Sequence, residues 1–399
     1  MGHTNNPVCI KDLEPIAKSA MPSGAWGYYD SGAHDEQTKF DNMNAFDNYR
    51  LHPRMLRDVS QINTATTVLG RTVRTPLGIA PCAMHKLAHP EGEAATSRAA
   101  SRHGSIMILS TYSTTSLEKV IAEGSGDTQY WMQLYVYQDR SVSEKIVKRA
   151  EKAGFSAIVL TVDAPVLGLR LVDARNKFKP PPHLHLENFM DPEVVNGANG
   201  YVADHAKSAS ETFGATFGAN GDQSLSWENG ISWLKSITKL PIIVKGILTA
   251  EDTKLAIAHG CAAVIVSNHG GRQLDGALST IDALPQVVDA AGDAIEVYMD
   301  GGIRRGSDIF KALALGARAV FVARPVLWGL AYQGEKGVHY ALELLQKELE
   351  LTMTLAGTTC IEEIDESYVY QPASRWVRYA PRGKSAAGAD QKLRLVAKL

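Results

Sequence analysis

Short apolar runs punctuate the middle of the chain: Leu77–Ala80, Ile106–Leu109, Tyr130–Leu134, Ala157–Leu160, Ile242–Val244, Ala263–Val266, Glu296–Met299 and Ala319–Val322. They are rich in β-branched residues and do not alternate with polar ones. Each therefore reads as a strand buried on both faces, as in a parallel sheet covered by helices. Helix-like stretches lie between most of them, including Glu144–Ala153, Glu251–His259 and Ser307–Leu315. Glycine caps end several: Lys152-Ala153-Gly154, His259-Gly260 and Leu315-Gly316. Most strand-to-strand spacings are about 22 to 33 residues, the length of a βα unit. Eight such units predict an α/β chain closed into a (β/α)8 TIM barrel, with an open doubly wound sheet as the alternative.

Residues 1–75 precede the barrel as a helical extension, with a helix expected over Asp12–Ala20 and a helix end and turn at Tyr28-Tyr29-Asp30-Ser31-Gly32. The barrel is expected over 76–364, its last amphipathic helix being Val338–Leu355, followed by a tail at 365–399. One spacing breaks the pattern. Roughly 80 residues separate Leu160 from Ile242, far beyond an ordinary connection. The stretch Lys179–Asp222 within it is rich in Gly, Asn, Pro and Ala, without a period. This long loop after strand 4 leaves the face where barrels keep their active sites. Residues of about 175–225 are therefore read as a lid, with an insertion lacking a role as the alternative.

Composition narrows the class. Of 399 residues, 45% are hydrophobic and 21% charged, and 41 Lys+Arg against 43 Asp+Glu give a net charge of −2. That is globular composition, with no field directed at nucleic acid or an anionic membrane. No apolar run reaches the roughly 18 residues a membrane helix needs, and the first residues are polar. Cys9, Cys82, Cys261 and Cys360 form no C-x-x-C pair and no zinc spacing with the 12 His, so a reducing compartment and no metal are expected. The chain ends in Ala397-Lys398-Leu399, a variant of the peroxisomal Ser-Lys-Leu address. In a eukaryote it predicts peroxisomal import; otherwise a cytoplasmic location is expected.

Reacting groups of barrels stand at the C-terminal ends of strands. Here those ends carry Gln133 and Tyr135; Thr161 and Asp163; Lys245; Ser267, His269 and Arg272; Asp300 and Arg304; and Arg324. So many polar groups converging beside a core are hard to explain by folding alone. Asp300-Gly301-Gly302-Ile303-Arg304 and Val322-Ala323-Arg324-Pro325 end the last two strands, where barrels bind phosphate through glycine turns, a helix N-terminus and Arg. Lys245 could form a Schiff base or hold an anion as a cation. His269 and Arg272 leave one strand end across two glycines, a candidate base beside a candidate carboxylate grip, and Asp163 could pair with His269. Arg170, in the loop after Asp163, could add a second donor to a carboxylate.

These residues resemble the FMN-dependent L-2-hydroxy acid oxidases and dehydrogenases, the glycolate oxidase and lactate oxidase group. The resemblance runs from about Leu13 to Ile364. Near the N-terminus it is carried by Tyr28-Tyr29-Asp30-Ser31-Gly32-Ala33, by Ala80-Pro81-Cys82-Ala83-Met84 and by His89-Pro90-Glu91-Gly92-Glu93. Gln133-Leu134-Tyr135-Val136-Tyr137, Leu160-Thr161-Val162-Asp163 and Val244-Lys245-Gly246 follow. Ser267-Asn268-His269-Gly270-Gly271-Arg272-Gln273-Leu274-Asp275 and Asp300-Gly301-Gly302-Ile303-Arg304-Arg305-Gly306 complete it.

The resemblance implies oxidation of an L-2-hydroxy acid of glycolate or lactate type to the 2-oxo acid, with FMN as cofactor and O2 reduced to H2O2. Alternatives are a lactate monooxygenase, a dehydrogenase with another acceptor, a barrel that binds FMN without turnover and, more distantly, a flavin-free Schiff-base aldolase. It implies His269 as catalytic base, oriented by Asp163. Arg170 and Arg272, assisted by Tyr28, would bind the substrate carboxylate, and Tyr135 the substrate oxygen. Lys245 would stand beside flavin N1 and O2. Pro81, Ala83, Ser110, Gln133, Thr161 and Ser267 would touch the flavin ring; Asp300, Gly302, Arg304, Ala323 and Arg324 would hold the ribityl phosphate end. A homo-oligomer, tetramer or larger, is also implied. Three departures stand out. Ala323 replaces the usual Gly, which requires a turn without positive φ. Tyr112 stands where Trp is common, and Val166 and Leu169 replace basic residues.

Overall fold

The computed structural model describes residues 6–125, 128–190 and 221–371. Residues 191–220 of the expected lid, and the Ala397-Lys398-Leu399 tripeptide, lie outside them. Eight parallel strands close a barrel: β1 (Leu77–Ile79), β2 (Met107–Leu109), β3 (Tyr130–Leu134), β4 (Ala157–Thr161), β5 (Ile242–Ile247), β6 (Ala263–Val266), β7 (Glu296–Asp300) and β8 (Ala319–Val322). Each pairs with its neighbours in sequence, and β8 pairs with β1 through Phe321 and Gly78. The open sheet is thereby excluded.

The strands are apolar throughout because both faces are covered. Alternate side chains point inward: Ile108, Trp131, Val159, Ile243, Ile265, Tyr298 and Phe321 fill the barrel in one cluster. The rings of Trp131, Tyr298 and Phe321 meet at centroid distances of 5.4 to 5.9 Å. Outward residues such as Ile158, Val244 and Val264 pack under the helices in a second cluster. At the N-terminal end a hairpin of Thr66–Val68 and Arg71–Val73 sends Val68 and Val73 into the interior. Glu296, at the start of β7, accepts Leu69 N–H at 3.1 Å, fixing this plug.

The inward period has a consequence at the other end. Two residues beyond the apolar layer the same face carries Ser110, Gln133, Thr161, Lys245, Ser267 and Asp300, with the small Ala323 completing it. The floor of the C-terminal face is polar because the apolar register stops one step short of it.

The N-terminal extension contributes α1 (Ile10–Ala20), α2 (Ser23–Asp30) and α3 (Gln37–Asn44). It is bolted to the turn after β6. Asn42 and Asn268 exchange side-chain amide bonds at 2.8 Å, and Asp275 accepts Thr38 N–H at 2.9 Å. After β8, the helical stretch Arg324–Ala356 is broken at Gln333 and Gly334, whose angles are non-helical: the part beyond the break contains the helix expected at Val338–Leu355, and a separate helix before it starts at Arg324. Pro325, in its first turn, needs no backbone donor there and suits a helix start. Arg324 is thus brought to a helix N-terminus directly over β8.

Candidate active site

A cavity of about 1060 Å3, counting its open mouth, lies over the C-terminal end of the barrel. Nearly every residue expected from the sequence lines it: Tyr28, Pro81, Ala83, Ser110, Gln133, Tyr135, Thr161, Arg170, Lys245, His269, Arg272, Asp300, Gly302, Arg304, Ala323 and Arg324. Ser267 and Asp163 stand behind this wall. Ser267 Oγ accepts Lys245 Nζ at 2.8 Å and His269 N–H at 3.1 Å, so it orders two cavity residues at once.

His269 Nδ1 is 2.8 Å from Asp163 Oδ1. With Nδ1–H donating to the carboxylate, Nε2 is left as acceptor. Burial lowers the His269 pKa below that of free imidazole, and Asp163 opposes the shift. Burial works against the Asp163 carboxylate, but His269 and Lys245 outweigh it and hold the carboxyl below the usual range. His269 takes positive φ, +59°, rare for a residue with Cβ. Gly246, at φ +112°, lets the strand pass the dyad: a methyl there would come within 2.7 Å of Asp163 Cβ.

Lys245 is only 4% exposed, and its Nζ is 3.1 Å from Asp300 Oδ2. Burial disfavours the ammonium, yet Asp300 and Asp163 prevail and raise its pKa above that of ordinary lysine. A Schiff-base lysine needs the opposite shift. The aldolase alternative therefore has no free amine at this position. Asp300, expected at the phosphate end, is committed to Lys245.

Two groups of guanidiniums face the cavity. Arg170 is driven down to about 10 by burial and the Arg272 charge. Arg272 lies 5.2 Å from the Tyr28 ring, which stacks on Phe178 at 4.6 Å. At the other end Arg324 is driven down to about 9 by burial, Arg272 and Arg304. Arg304 is lowered by burial, and its buried Nε has no hydrogen-bond partner. Clustered, desolvated cations with an unused donor fit a phosphate. Gly301 and Gly302 beside them take φ of +94° and +78°, turning the strand end into the cavity. Ala323, at φ −110°, has no positive φ to adopt, so its methyl is accommodated. The residues present therefore fit a phosphorylated cofactor with its phosphate at the β7–β8 turns.

The aromatic wall is Tyr28, Tyr112 and Tyr135, with the Tyr112 and Tyr135 rings 5.6 Å apart. Burial raises all three phenol pKa values, so each remains protonated. The described part of the long loop packs on this wall: Phe189 lies 5.8 Å from Tyr112.

Some contributors were given no role from the sequence. Tyr29 donates to Met84 O at 2.6 Å and its own carbonyl accepts from Arg324. Glu93, fully buried, accepts from His85 N–H and Thr114 N–H and from the hydroxyls of Thr114 and Thr115, tying together the turns after β1 and β2. A lone carboxylate among the small residues of the helix Gly92–His103 is the signal that marks it. Leu167 and Leu327, also in the wall, carry no such signal.

A model of the FMN-dependent dehydrogenase family matches residues 17–371. 2-Hydroxyacid oxidase 1 of Homo sapiens is 47% identical over 368 residues, 91% of this chain and 96% of that protein. Glycolate oxidase of Spinacia oleracea is 48% identical, covering 90% of this chain and 95% of its own. Among solved structures, a mandelate oxidase superposes with a TM-score of 0.81 at 38% identity, over 92% of this chain and 98% of that one.

Proposed function

The chain belongs to the FMN-dependent dehydrogenase family, and we propose that it oxidises an L-2-hydroxy acid of the glycolate and lactate type to the 2-oxo acid while O2 becomes H2O2. Bound FMN would supply the two-electron acceptor for the substrate C2 and the donor to O2. Arg304 and Arg324, with Gly302 and Ala323, would hold its phosphate. Lys245 would supply a fixed positive charge, and Pro81, Ala83, Ser110, Gln133 and Thr161 would line the ring.

The chain's own residues do the rest. Arg170 and Arg272 grip the substrate carboxylate, their mutual repulsion relieved by its charge, and Tyr28 packs beside them. The Tyr135 phenol donates to the substrate oxygen. His269 Nε2 takes the proton that the substrate releases, and Asp163 stabilises the resulting imidazolium. The observation that carries this reading is the 2.8 Å His269–Asp163 dyad opening on one cavity with a carboxylate grip and a phosphate grip.

The test is direct. Purified protein should be yellow and release FMN on denaturation. Anaerobic glycolate or L-lactate should bleach it, and aerobic turnover should give peroxide and 2-oxo acid in equal amounts. A colourless protein, or one that no 2-hydroxy acid bleaches, ends the proposal. A decarboxylated acid without free peroxide replaces it with a monooxygenase. The C-terminal Ala397-Lys398-Leu399 supports peroxisomal delivery in a eukaryotic cell, and a tetramer or larger assembly is the state to look for in solution.

A further inference from the structure

The turn that follows α2 belongs to the site although it lies outside the barrel. Ser31 O accepts Arg272 Nη1 at 2.7 Å and Arg324 Nη2 at 3.1 Å, and Tyr29 O accepts Arg324 Nε at 3.0 Å. The same turn carries Asp30, whose backbone carbonyl accepts Arg324 Nη2 at 3.4 Å, which places its carboxylate beside the guanidinium pair, and its negative charge acts on both Arg304 and Arg324. A carboxylate next to guanidiniums that must receive a phosphate is a competitor. It offers them a built-in anion.

Asp30 is nevertheless held elsewhere. Its Oδ2 lies 3.3 Å from Lys39 Nζ, which also lies 3.1 Å from Glu36 Oε2. Glu36 Oε1 in turn accepts Gly32 N–H at 2.7 Å, so the ammonium is anchored to the frame of the turn. The Lys39 side chain is 9% exposed, and the turn after β6 lies against it: a methyl on Gly271 would overlap the Lys39 backbone. A lysine this enclosed, on an extension helix and paired with two carboxylates, is more than a solvated surface charge.

We propose that Lys39 is a positioning residue for the cofactor phosphate: by binding Asp30 it keeps that carboxylate away from Arg304 and Arg324 and leaves both for the phosphate. The inference rests on the FMN reading above. Without Lys39 the turn carries two carboxylates that have lost this ammonium, and Arg304 and Arg324 are cations on which the Asp30 charge still acts. Asp30 then neutralises them before the cofactor arrives.

The measurement is FMN affinity, read from the fluorescence of flavin released when the holoprotein is diluted. Lys39→Met should raise the FMN Kd about tenfold or more. Lys39→Arg should stay near the wild-type value. The decisive variant is Lys39→Met combined with Asp30→Asn, in which the competitor is gone and affinity should return to about threefold of wild type or better. A lysine that merely supported the fold would leave that double variant as weak as the single one. Such a result, or an unchanged Kd in Lys39→Met, overturns the proposal. Should Lys39→Met fail to fold, Asp30→Asn alone decides: it should bind FMN at least as tightly as wild type, and weaker binding refutes the competitor role. Wild-type protein that takes up no FMN at all would remove the cofactor reading instead, an outcome distinct from these.

Discussion

Asp163→Asn separates the charge of the catalytic dyad from its shape. Asparagine keeps an oxygen for the His269 Nδ1–H bond, now 2.8 Å long, so the ring keeps its orientation and tautomer. The charge that stabilises the imidazolium is lost. Hydrogen bonds to charged groups contribute about 1.5–3 kcal/mol. At 1.36 kcal/mol per tenfold, removing that stabilisation lowers kcat by about 10- to 150-fold. The pH profile moves in a direction that a general weakening would not produce. Burial lowers the His269 pKa and Asp163 opposes it, so the variant imidazole titrates at still lower pH. A base acts when neutral, so activity is present above this pKa and lost as pH falls through it. The variant should therefore be slower on its plateau while its acid limb shifts to lower pH. Oxygen uptake with a saturating L-2-hydroxy acid across pH 4–8 measures both, and FMN content checks that the site is loaded. A kcat within about threefold of wild type, or an acid limb moving to higher pH, refutes the assignment of Asp163.

Lys245→Met leaves the Asp300 carboxylate buried without the cation now 3.1 Å away. Breaking such a pair costs about 3–5 kcal/mol, so Tm should fall and the anaerobic bleaching rate should drop; unchanged values for both would remove the charge role of Lys245. Gly246→Ala requires a side chain at φ +112° within 2.7 Å of Asp163 Cβ. It should cut kcat by about tenfold or more while FMN stays bound, and full activity would show that the dyad tolerates displacement. Glu93→Ala deletes the acceptor that joins the turns after β1 and β2. Denaturant unfolding should report a loss of about 3 kcal/mol or more, and a loss under about 1 kcal/mol would contradict its bridging role.

Much of this architecture is local information. A strand buried on both faces shows as an unbroken apolar run, and Trp131, Val159, Ile243, Ile265, Tyr298 and Phe321 mark the inward register. Stepping two residues on reaches Gln133, Thr161, Lys245, Ser267 and Asp300, so the polar floor could be read from a period of two. His269 and Arg272 were legible because two glycines, an imidazole and a guanidinium end one apolar run. The family motifs carried the rest of that list.

Other features were not local, and no period or motif contains them. Asp300 follows β7 in a phosphate-like turn, but which cation it meets depends on barrel closure, and it meets Lys245. Ser267 ends its strand on the same inward face as Lys245, but that its hydroxyl accepts from both Lys245 and His269 N–H is decided only by barrel closure and the turn after β6. The Ser31 carbonyl reaches Arg272 and Arg324 only because the extension docks on the rim, 241 and 293 residues away along the chain. Whether Lys245 is an amine or an ammonium is likewise a property of the folded molecule, because burial and Asp300 pull its proton in opposite directions. Residue order determined which groups lie at the strand ends. Packing between distant elements determined which of them face the cavity and what charge they carry there, because desolvation and Coulomb interactions act through space rather than along the chain.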